Sequence, residues 1–60
     1  MTVDQYTSKY EFNDHVEIRK DQKVVFKGTI RKLQDHFYDL GQCELKKSYQ
    51  LTEHSHDLKI

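Results

Sequence analysis

Val24-Val25-Phe26-Lys27-Gly28-Thr29-Ile30-Arg31-Lys32-Leu33 contains the change of hydrophobic period that decides the fold. Up to Gly28 the pattern is that of a strand over Val24–Thr29, with Val24 and Phe26 inward and Val25, Lys27 and Thr29 outward. From Ile30 the apolar residues recur as Ile30, Leu33, Phe37 and Leu40, one face of a 3.6-residue turn. Thr29 stands where its hydroxyl can accept a bond from an orphan helix amide. Gly41 stands where a helix ending at Leu40 would turn left-handed.

Working toward the N-terminus, the tetrad Lys20-Asp21-Gln22-Lys23 reads as a turn, and His15–Lys20 as a first strand. Val16 and Ile18 face inward there, alternating with Glu17 and Arg19. Before it, Tyr6, Ser8, Tyr10 and Phe12 alternate with Thr7, Lys9 and Glu11, so residues 1–13 form an arm or edge strand that docks by its aromatics.

Toward the C-terminus a period of two returns. Cys43, Leu45, Tyr49 and Leu51 make the inward set of a third strand, bulged near Lys47. Glu53-His54-Ser55-His56 is a polar turn with solvated imidazoles, and Asp57–Ile60 a short last strand with Leu58 and Ile60 inward. The expected fold is α+β, with residues 14–60 as a single ββαββ domain: one helix packed on a small, mainly antiparallel sheet. The expected strand order is 2-1-3-4, which leaves strands two and four as edges and Val25 open on an edge.

Composition narrows the function classes. Ten basic residues balance ten acidic ones, so no global field gathers nucleic acid or anionic lipid. Mixed surface charge without net repulsion permits a homodimer. The longest apolar run, Val24-Val25-Phe26, falls far short of the roughly 18 residues that span a bilayer. The lone Cys43 can make no internal disulfide, and Met1-Thr2-Val3-Asp4 has no leader character; both point to the cytoplasm.

Chemistry-bearing motifs are sparse. His15, His36, Cys43, His54 and His56 are the metal-ligating types, but only His54-x-His56 is closely spaced, and structural zinc needs four ligands in recognisable pairs. No metal is expected. Cys43 with His36 is the one conceivable nucleophile and base, and Cys43 falls on the inward side of a strand where a thiol behaves as a small apolar group. Asp35 and Asp39 read as solvated charge on the helix. Two distant glycines make no phosphate loop, so no cofactor is expected and the chain reads as a non-enzyme.

What remains is surface. Tyr6, Tyr10, Phe12, Val25, Phe37 and Tyr38, with Tyr49, are more aromatic and aliphatic area than a chain of 60 residues readily hides. Aromatic residues of this kind serve as anchors in protein interfaces. The alternative is a nucleic-acid-associated regulator that uses Lys20, Lys23, Lys27, Arg31 and Lys32 around the first hairpin and the helix start.

The run from Val16-Glu17-Ile18 to Phe26-Lys27-Gly28-Thr29-Ile30, followed by an amphipathic helix and a returning strand, resembles small accessory proteins of phages and mobile elements of Gram-positive bacteria. That likeness covers about two thirds of the chain; more distantly the run resembles the phage inhibitors of uracil-DNA glycosylase. That resemblance implies a ββαβ layout, a homodimer, a bacterial host cytoplasm and a helix aromatic set against a host protein, with Phe37 as the counterpart. Those inhibitors are acidic and this chain is neutral, so DNA mimicry is not implied.

Overall fold

The computed structural model describes all residues, 1–60. Its elements in chain order are α1 (Val3–Thr7), β1 (His15–Lys20), β2 (Lys23–Thr29), α2 (Ile30–His36), α3 (Tyr38–Gly41), β3 (Lys47–Thr52) and β4 (Ser55–Lys59). The fold is α+β, with one four-stranded mixed sheet. No helix is long and apolar enough to cross a membrane.

The N-terminal segment is a helix where alternation suggested an edge strand. Thr2 caps it: the Thr2 hydroxyl accepts from Gln5 N–H at 3.1 Å, and the Gln5 side chain accepts from Thr2 N–H at 2.9 Å. Val3, Tyr6 and Thr7 are buried, and a spacing of three and four places them on one face. The strand-like alternation of Tyr10 and Phe12 belongs to the linker that follows.

β1 lies where the sequence puts it, with Val16 and Ile18 in the core. It joins β2 through a two-residue turn whose central residues, Asp21 (φ 52°) and Gln22 (φ 69°), are both left-handed. Such turns match the twist of a hairpin. The ladder runs Ile18↔Phe26 and then Arg19↔Val24, so Val25 is the extra residue of a bulge. The bulge reverses the expected facing of Val24: it lies opposite outward Arg19 and is exposed, while Phe26 alone is buried on β2.

Thr29 caps α2 as expected, accepting from Lys32 N–H at 3.2 Å. The helix does not run on to Leu40. At Phe37 the backbone leaves helical geometry (φ −130°, ψ 51°) and resumes as α3. The break sets the Phe37 ring edge-on to Phe26 at 4.9 Å between centroids. Gly41 is the last residue of α3, with no positive φ, so the expected left-handed stop is absent.

The largest departure is strand order, which is β2-β1-β4-β3 rather than 2-1-3-4. β4 inserts beside β1 in parallel, Ile18 opposite Leu58, and β3 becomes the far edge. The reason is burial. A central strand needs an apolar inner face; β4 supplies His56 and Leu58 to it, whereas every residue of β3 is exposed. The expected inward set divides accordingly: Cys43 and Leu45 pack against the core, but from the connection before β3 and not from a strand, while Tyr49 and Leu51 are open to solvent. That connection pairs with the N-terminus instead, Val3 N–H donating to Cys43 O and Leu45 N–H to Met1 O, each at 2.9 Å. Val3, Tyr6, Ile18, Ile30, Leu33 and Leu58 form the centre of the core.

Candidate functional site

Beneath the ends of β1 and β4 lies a polar cluster that spacing alone did not reveal. Asp14 precedes β1, its carboxylate almost wholly buried. One oxygen meets His54 Nδ1 at 2.9 Å and the other His56 Nε2 at 3.1 Å. Because His56 faces inward on β4, its ring is sequestered, and Tyr6 from α1 meets its Nδ1 at 3.0 Å. One tautomer satisfies all three groups: His56 Nε2–H donates to Asp14, and Nδ1 accepts from the Tyr6 hydroxyl. Tyr10 lies over the His56 ring at 4.2 Å. The Asp14 backbone ties in two further segments, its N–H donating to Glu11 O at 3.1 Å and its carbonyl accepting from Ile30 N–H at 3.0 Å.

The electrostatics follow from this packing. The hydrogen bond from His56, and next in order those from His54, hold the Asp14 carboxyl below its ordinary 3.8 against the opposing effect of burial. His54 is raised above 6.5, first by its hydrogen bond to Asp14. Burial, then the neighbouring Tyr10, pushes the Tyr6 hydroxyl up to about 12.

These shifts set opposite pH limits. A raised histidine contributes stability below its unfolded value and loses it as pH rises through the folded one, whereas a depressed carboxyl contributes above its unfolded value and loses it on acidification. The His54 contribution is therefore present below 6.5 and fades above it, and that of Asp14 persists until pH drops below 3.8. The urea midpoint is expected to decline as pH rises above 6.5, and to lose that decline in His54→Gln. An identical decline in the variant would exclude His54 as its source.

Chemically, the cluster is a structural lock. His56 has both ring nitrogens engaged and no exposed surface on which to meet a substrate. His54 is open to solvent, but Cys43, the one thiol, is turned to the Asp39 carbonyl at 3.5 Å. No three His, Cys, Asp or Glu side chains converge as metal ligands, because the two imidazoles address separate oxygens of one carboxylate. The expectation of two solvated turn histidines thus holds for His54 and fails for His56.

The proposed interface residues divide. Tyr6 is core and Tyr10 half-buried. Phe12 is exposed, with the Arg31 guanidinium 5.7 Å above its ring. Val25, Phe37 and Tyr38 remain accessible, Val25 on the β2 bulge, Phe37 against Phe26, and Tyr38 71% exposed at the start of α3. The five cations of the nucleic-acid alternative are spread along the first hairpin and onto α2. Lys20 and Lys23 flank the hairpin turn, Lys27 opposes Glu17, and Arg31 and Lys32 open α2. The length of β2, about 20 Å at ~3.3 Å per residue, separates the first pair from the last.

A signal for the cluster does exist in the sequence. His56, Leu58 and Ile60 share the period of two that marks an inner face, and a histidine on such a face calls for a buried partner. Comparison with family models, with curated proteins and with solved structures gives no match.

Proposed function

We propose that the chain is a small non-enzymatic protein-binding module that takes its partner along the open edge of β2, with Phe37 and Tyr38 as anchors. The observation that carries this reading is the edge itself. β2 pairs only with β1, so its outer backbone groups are free, and the bulge leaves Val24 and Val25 exposed beside the Phe26–Phe37 pair. An extended partner segment can add to such an edge through main-chain hydrogen bonds, while neighbouring side chains give specificity. The neutral charge and the second open edge at β3 suit a homodimer.

On this reading the chain acts as an inhibitor or adaptor of a host protein in a bacterial cytoplasm, in the manner of the phage accessory proteins it resembles. The test is affinity capture from a Gram-positive lysate with the wild type and with Val25→Lys/Tyr38→Ala in parallel. A lysine blocks edge pairing without touching the core. The expected result is a protein enriched by the wild type and lost with the variant. Identical captures from both would overturn the proposal, and sedimentation equilibrium of the same samples reads the dimer directly.

A further inference from the structure

Although the chain is neutral, its charge is not evenly spread. Arg19, Lys20, Lys23, Lys46, Lys47 and Lys59, six of its ten basic residues, gather at the hairpin end of the sheet. The register makes them cross-strand neighbours: Lys20 opposes Lys23, Arg19 opposes Lys59, and Lys59 opposes Lys47. Lys46 N–H donates to the Lys59 carbonyl at 2.8 Å, which brings a further lysine to the same place. At the opposite end stand Asp14, Glu11 and Glu53, grouped about His54.

Like charges directly opposite one another destabilise a sheet, and here little within the chain offsets them. Arg19 is occupied, its Nε donating to Glu17 at 2.8 Å with Asp57 at 3.9 Å. Lys46, Lys47 and Lys59 are in no ion pair with a side-chain carboxylate. Arg19 and these three lysines, with Ile60 and with Asp21 and Gln22 of the left-handed turn, line a concavity of about 290 Å³. Asp21 is the one acid in that lining. Lys59 also lies 5.8 Å from the centre of the Tyr49 ring, which is partly exposed.

We propose that this concavity binds a ligand with two or three linked phosphates, free or carried on a nucleotide. Three ammonium groups without a side-chain ion pair, from Lys59 on β4, Lys47 on β3 and Lys46 just before β3, thus gather where Asp21 is the one acidic side chain. A phosphate chain offers several charged oxygens, each able to accept charge-assisted hydrogen bonds. The size suits a small molecule, and the open Tyr49 ring provides a face on which a base can stack.

The experiment titrates the intact protein at low salt with sodium tripolyphosphate and, separately, with uridine triphosphate, followed by amide chemical shifts and by thermal unfolding. Binding is expected to shift the amides around Lys46, Lys47, Lys59 and Gln22 and to raise the Tm. Lys59→Gln is expected to weaken binding by about tenfold or more, the loss of one charge-assisted contact. The same variant, relieved of like-charge opposition on both sides, is expected to unfold at a higher temperature than the wild type when no ligand is present. Tighter binding of uridine triphosphate with a shift at Tyr49 assigns a nucleotide, and equal binding assigns the phosphate chain alone. No amide shift with either ligand at millimolar concentration, or equal affinity for wild type and Lys59→Gln, overturns the proposal.

Discussion

Asp14→Ala is expected to destabilise the protein by about 3 kcal/mol, the range for removing a buried charged partner of hydrogen bonds. In a domain of this size that corresponds to a Tm lower by about 20–25 °C. The carboxylate does three things that no neighbour can take over. It accepts from His56 in the interior, it holds His54 over the β3–β4 turn, and it fills a position where almost no solvent reaches. Its removal leaves His56 Nε2 facing an empty space, so the lost bond is not replaced by water as it would be on the surface. Asp14→Asn separates the contributions of shape and charge. The amide is nearly isosteric and keeps one acceptor, so its cost is expected to fall between wild type and alanine. Urea unfolding followed by circular dichroism at neutral pH measures both. An alanine variant within about 0.5 kcal/mol of wild type, the scale of ordinary surface substitutions, would show that the cluster carries no stability.

That cluster also shows which parts of the structure were legible in the sequence. Elements specified by their own residues were readable: β1 from the alternation of Val16 and Ile18, the start of α2 from Thr29 and the Ile30–Leu33 spacing. Features fixed by another segment were not. The Val24 side chain faces out because β2 carries one residue more than β1 opposite it, a fact of pairing and not of β2 alone. The order of β3 and β4 was settled by comparing two strands: Lys47–Thr52 has two apolar residues in six but nowhere to bury them, while His56 and Leu58 sit on one side of β4. His56 looked like a turn residue because its partners, Asp14 and Tyr6, are 42 and 50 positions away. α1 is a different case, since Thr2-Val3-Asp4-Gln5 carries a capping-box pattern and Val3, Tyr6 and Thr7 a helical spacing. The alternating aromatics that follow it masked both signals.

Deleting residues 1–7 tests how far α1 belongs to the core, and the expected result is a chain that no longer folds cooperatively at 25 °C. Val3 and Tyr6 are buried in the core, α1 packing against α3 and Tyr6 against His56 of β4, and burying one large apolar side chain contributes about 1.5–3 kcal/mol. Two such losses, with the Tyr6 hydroxyl no longer donating to His56 Nδ1, come to about 5 kcal/mol, which rivals the whole stability of a domain this small at about 0.05–0.15 kcal/mol per residue. The segment after Gly41 also loses its tether, because Cys43 and Leu45 hydrogen-bond to the backbone at Met1 and Val3. An exposed aromatic provides the control. Phe12→Ala leaves the core intact and is expected to stay within about 0.5 kcal/mol of wild type, as surface substitutions do, so a general sensitivity of the N-terminal region is distinguished from the specific burial of α1. The measurement is the dispersion of amide proton shifts together with the urea transition. A deletion variant that keeps a dispersed spectrum and a steep transition would make residues 1–7 a detachable arm and place the core wholly within the sheet, α2 and α3.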